Sequence, residues 1–98
     1  MHNDTENLIT SDGWEFSYKE PNEPDMNIYI HPLFPNVEIG VDRDGSWISC
    51  TTSPTELDYY RKPLFLEQIG EGNGIETLAA FLMSSKLKNY KVEEQQEQ

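Results

Sequence analysis

Val37-Glu38-Ile39-Gly40-Val41-Asp42-Arg43-Asp44-Gly45-Ser46-Trp47-Ile48-Ser49-Cys50-Thr51-Thr52 alternates apolar and polar residues on both sides of a central Asp44-Gly45. Alternation with period two is the mark of a half-buried strand. Asp-Gly between two such runs is a strong two-residue hairpin signal, because Gly accepts positive φ and Asp tolerates it. With those two residues in the turn, Arg43 faces Ser46 and Asp42 pairs with Trp47. Val41 then pairs with Ile48, Ile39 with Cys50, and Val37 with Thr52. This register gathers Val37, Ile39, Val41, Ile48 and Cys50 on one face, and a slip of one residue would scatter them. Trp47 falls on the opposite face beside Asp42, diagonal to Gly40, with Glu38, Ser49 and Thr51.

Upstream, Trp14, Phe16 and Tyr18 alternate with Glu15, Ser17 and Lys19 and predict a strand with aromatics on one side. Pro21 to Asp25 reads as a turn, since two prolines cannot donate to a ladder. Met26, Ile28 and Ile30 alternate with Asn27, Tyr29 and His31 in a second strand, which Pro32 and Pro35 close.

Downstream, Ser53-Pro54-Thr55-Glu56 has the form of a helix start, with Ser as cap, Pro at the first turn and Glu reaching back. It predicts a short helix over 54–61, ended by Pro63. Leu64-Phe65-Leu66-Glu67-Gln68-Ile69 fits either a fifth strand or an apolar crossing segment. Gly70-Glu71-Gly72-Asn73-Gly74 reads as a flexible break. Asn73, with Glu76 three residues on, has the pattern of a capping box. Ile75, Leu78, Ala79, Leu82, Met83, Leu87 and Tyr90 then recur at helical spacing, and Lys86, Lys88 and Lys91 suit the last turns of a long helix.

The expected fold is α+β: a four-stranded, mostly antiparallel meander whose aliphatic face is covered by the C-terminal helix, with a short helix near 54–61. Residues 1–12 read as a loose segment, 13–91 as a single domain, and 92–98 as a disordered acidic tail.

Eighteen Asp and Glu stand against seven Lys and Arg, a formal charge of -11 on 98 residues. The first 42 residues hold nine carboxylates (Asp4, Glu6, Asp12, Glu15, Glu20, Glu23, Asp25, Glu38, Asp42) against Lys19 as the sole Lys or Arg. Such a chain repels phosphate backbones and anionic lipid surfaces, so neither nucleic acid nor membrane is expected as a partner. A basic protein surface is the natural counterpart. The single cysteine, Cys50, cannot form an internal disulfide and fits a reducing, cytoplasmic setting. No apolar run resembles a signal peptide or a membrane span.

Catalytic and cofactor motifs fail on context. The glycines at 70, 72 and 74 superficially resemble a nucleotide-binding turn, but Ile75 stands where the third fingerprint glycine belongs, and Glu71 would face the phosphates. Asp42-Arg43-Asp44-Gly45 opens like a calcium loop, yet the twelfth position is Ser53 rather than a bidentate Glu. His31 has no ligand at coordinating spacing, and Cys50 lacks an electropositive setting. The expectation is therefore a non-enzyme with no cofactor or metal. The residual surface candidate is a set of carboxylates around an aromatic anchor: Glu15, Tyr29, Glu38, Asp42, Asp44 and Trp47. It suits an acidic binding protein of the inhibitor, immunity or decoy type. The alternative is an adaptor or accessory subunit that docks through apolar or edge-strand contacts.

Overall fold

The computed structural model describes residues 4–52 and 65–92. The predicted helix over 54–61 and most of the predicted tail, 93–98, lie outside them. The elements are α1 (Asp4–Ser11), β1 (Glu15–Glu20), β2 (Glu23–Ile30), β3 (Val37–Val41), β4 (Ser46–Thr52), β5 (Phe65–Asn73), α2 (Ile75–Leu82) and α3 (Ser85–Lys88). The strands form one antiparallel meander in the order β1-β2-β3-β4-β5. The α+β class and the meander are as the sequence predicts, with five strands in place of four.

The hairpin loop departs from expectation by one residue. Val41 pairs with Trp47, Gly40 with Ile48, Ile39 with Ser49, Glu38 with Cys50 and Val37 with Thr51. The cause is a three-residue loop. The Asp42 N–H donates to the Ser46 carbonyl, the Gly45 N–H donates to the Asp42 carbonyl, and Gly45 sits at φ 94°. This is a type I turn followed by a left-handed glycine, the standard three-residue hairpin connection. Asp44 and Asp42 serve the turn through side-chain acceptors, at 3.0 Å from the Ser46 N–H and 2.6 Å from the Arg43 N–H.

The slip moves Trp47, Ser49 and Thr51 onto the face of Val37, Ile39 and Val41, where all are buried. Burying Trp47 outweighs burying Ile48 and Cys50, since an aromatic of that size removes the larger apolar area from water. Ser49 and Thr51 satisfy their hydroxyls on the Glu38 and Glu67 carbonyls.

Both longer helices cover this face. Leu78, Phe81 and Leu82 of α2 join Leu87 of α3 and Ile9 of α1 in one core with Trp14, Tyr29, Phe34, Val37, Ile39, Val41 and Trp47. The helix at residues 4–11 replaces the loose segment expected there. Ile9 is fully buried, the Glu6 carboxylate accepts from the Tyr29 hydroxyl of β2, and the Thr5 hydroxyl donates to the Gly45 carbonyl of the hairpin loop.

Gly70-Glu71-Gly72 is strand, not a break. A Cβ on Gly70 would stand 2.5 Å from the Phe81 ring, and one on Gly72 would stand 2.6 Å from Thr77 Oγ1. The glycines let α2 lie directly on β5. Asn73 belongs to the strand and donates to Ser46 Oγ, and Gly74 takes the N-cap position without a side-chain cap. The expected long helix divides at Met83 and Ser84, where Met83 is exposed and Ser84 opens α3.

Candidate functional site

The opposite face of the sheet carries no helix among the described residues. It is a trough of about 850 Å³. Ile28, Met26, Ile48 and Cys50 form an apolar floor, beside Gly40, whose lack of a side chain leaves room for Met26 Sδ. Glu20, Glu23, Glu38 and Glu71 line it, and no Lys, Arg or His does among the described residues.

Tyr18 reaches this face through an irregularity in β1. Phe16 pairs with Tyr29 and Tyr18 with Ile28, so Ser17 is an inserted residue that breaks the expected alternation. The extra residue turns Tyr18 away from Trp14 and Phe16 and toward Ile28. Its hydroxyl donates to Glu38 Oε1 at 2.9 Å.

Glu38 is the unusual group. Only 6% of its surface is exposed, and its strand neighbour across β4 is Cys50. Burial pushes its carboxyl above the usual range; the Tyr18 hydrogen bond opposes this, and the nearby Glu20 charge adds to it. Burial, reinforced by Glu38, likewise drives the Tyr18 hydroxyl far upward, and burial with the Glu38 charge raises the Cys50 thiol. Both shifts favour the protonated forms, the neutral Tyr18 donor and the Cys50 thiol over its thiolate. Glu38 and Cys50 thus bring two shifted groups into the trough, with Tyr18 bonded to the first of them.

The six residues singled out in the sequence do not come together. Glu15 and Glu38 lie on the helix-free face. Tyr29 and Trp47 are buried on the helix-covered face, so Trp47 is not a surface anchor: its indole N–H donates to Thr77 Oγ1 at 2.9 Å and its ring meets Phe81 at 5.0 Å. The Tyr29 hydroxyl donates to Glu6 Oε2, and burial followed by the Glu6 charge pushes it up to about 12. Asp42 and Asp44 sit in the hairpin loop, and the Ser46 N–H holds the Asp44 carboxyl below its ordinary value. Glu20, Glu23, Met26, Ile28, Ile48 and Glu71 line the trough, and Tyr18 bonds its Glu38; the sequence reading assigned none of these seven to a site. A three-residue loop ending in Gly45 was the available signal, since it predicts the observed register as well as Asp44-Gly45 predicts the other.

A second cleft of about 720 Å³ lies between β5 and the α2–α3 segment. Glu67, Glu71 and Lys86 line it together, so it has no single sign of charge. His31 is engaged elsewhere, in edge contacts with Trp14 and Phe34, and its Nδ1 accepts from the Leu33 N–H. Among the described residues no three His, Cys, Asp or Glu side chains are grouped as metal ligands, and no helix is long and apolar enough to cross a membrane. No protein-family model matches the chain, and no curated protein or solved structure is significantly similar to it.

Proposed function

We propose that this protein is a non-catalytic binding module that docks a basic protein surface through the helix-free face of its sheet, in the manner of an inhibitor, immunity or decoy protein. The observation that carries this reading is the composition of the trough: an apolar floor with four glutamates and no described base. Apolar area supplies affinity, and carboxylates of one sign select a cationic partner and speed its approach. Net charge -11 extends the same field beyond the contact. The free thiol of Cys50 is compatible with an encounter in the cytoplasm.

Affinity capture from the native cell, followed by titration of the captured protein across salt concentrations, tests it. Affinity should fall steeply as the screening length shrinks below about 10 Å near 0.1 M salt. It should fall again when Glu20, Glu23 and Glu71 are changed together to Gln. A partner whose affinity ignores both salt and neutralisation of Glu38 and the other trough glutamates rules the reading out.

One observation favours the second reading, an adaptor or accessory subunit. β5 is an edge of the described sheet, and Phe65 and Leu66 on it are 46% and 65% exposed. An unpaired edge with apolar side chains is a template for strand addition. That mode predicts salt-insensitive binding abolished by Leu66→Lys, leaving variants of the trough unaffected.

A further inference from the structure

We propose that the trough is built to take one basic side chain of the partner, with its alkyl stem along Met26, Ile28 and Ile48 and its cationic head at the Glu38 carboxylate beside the Tyr18 hydroxyl. This rests on the docking reading above and narrows it from a charged face to a subsite.

The argument starts from the cost of Glu38. A carboxylate that is nine-tenths buried loses most of its hydration and needs donors in return. Tyr18 supplies one, at 2.9 Å. Among the described residues, the other titratable groups lining the trough are Glu20 of β1, Glu23 of β2, Cys50 of β4 and Glu71 of β5, and none of these carries positive charge. The surrounding floor is aliphatic.

The complement of that site must be cationic at one end and apolar along its length. Lys and Arg are the protein side chains with that form, since they bury their methylenes while presenting a charged head. A purely aliphatic side chain would fill the floor but bring no charge to set against the four glutamates, leaving Glu38 with the neutral Tyr18 donor. An anion would meet four glutamates. A bare divalent cation would want several oxygen ligands at once, and no such group is assembled among the described residues.

The test is an NMR titration of the intact chain with three uniform hexapeptides: hexaarginine, hexalysine and hexacitrulline. Citrulline keeps the length of arginine without its charge. The two cationic peptides should shift the methyl signals of Met26, Ile28 and Ile48, and hexacitrulline should not. Glu38→Gln and Glu20→Gln each remove one charge, so diffuse attraction would treat them alike. The subsite predicts a loss of at least about tenfold for Glu38→Gln, the worth of one charge-assisted hydrogen bond, against less than about threefold for Glu20→Gln. Glu38→Asp keeps the charge but withdraws it by one methylene, and should lose most of the same affinity. Equal losses for Glu38→Gln and Glu20→Gln, or full affinity in Glu38→Asp, would overturn the subsite and leave the acidic docking face standing. Absence of any shift in the trough signals would overturn both.

Discussion

The indole N–H of Trp47 donates to Thr77 Oγ1 at 2.9 Å, and the Thr77 hydroxyl in turn lies 3.0 and 3.1 Å from the carbonyls of Asn73 and Gly74, one of which takes its proton. A central strand is thus tied to the first turn of α2, across Gly72. Thr77→Val keeps the shape but leaves a buried indole donor without a partner, which costs about 1–3 kcal/mol. Urea denaturation should show that loss as a lower midpoint with an unchanged slope.

The contact between β5 and α2 is equally exacting. A Cβ on Gly70 would meet Phe81 ring carbons at 2.5 and 2.7 Å. Gly70→Ala should therefore cost about 1–3 kcal/mol by overpacking, enough to lower the melting temperature by roughly 5 °C or more. Phe81→Leu alone should also destabilise, but the two changes together should cost less than their sum. A double-mutant cycle by thermal denaturation measures that coupling.

Helix α1 is part of the core rather than an appendage. Ile9 is fully buried, and the Trp14 N–H donates to the Ile9 carbonyl. Ile9→Ala should cost about 2–5 kcal/mol, comparable with truncating a residue of the sheet. Near-ultraviolet circular dichroism, which reports the packing of Trp14, should weaken with it.

Glu38 makes stability depend on pH in a particular direction. Its carboxyl lies above the ordinary carboxylate value in the folded chain, chiefly through burial. Between its unfolded and folded values the native state binds more protons than the unfolded state. Stability therefore falls as pH rises through that window, and the penalty is complete above the folded value. Glu38→Gln removes the buried charge and keeps an acceptor for Tyr18. It should raise stability by on the order of 1 kcal/mol at pH 7 and by much less near pH 4. Chemical denaturation of both proteins at the two pH values checks the difference.

Legibility divided along the chain by the range of the forces involved. The meander was readable because strand alternation and turn residues act over a few positions, as in Met26 to Ile30 and Val37 to Val41. The candidate site was read only in part. Glu15 and Glu38 lie on the helix-free face, but Tyr29 and Trp47 had been grouped with them across a sheet that separates the two pairs. Two single-residue irregularities account for most of this. The three-residue loop ending in Gly45 reverses β4, and the insertion at Ser17 turns Tyr18 over. Because side chains alternate with period two, one extra residue exchanges the faces for everything beyond it.

By itself the sequence determined the α+β class, the hairpin about Asp44-Gly45, the apolar stripe of Leu78 and Leu82, and the strong negative charge, all of which follow from local pattern or simple composition. Only the tertiary structure decided that Trp47 lies inside, that Gly70 and Gly72 are contact points for a helix, that Asp4 to Ser11 forms α1, and that Tyr18 meets Glu38 across twenty residues of chain. The physical reason is common to these. Each is settled by which large side chains can be buried together without collision, and that competition is between segments distant in sequence.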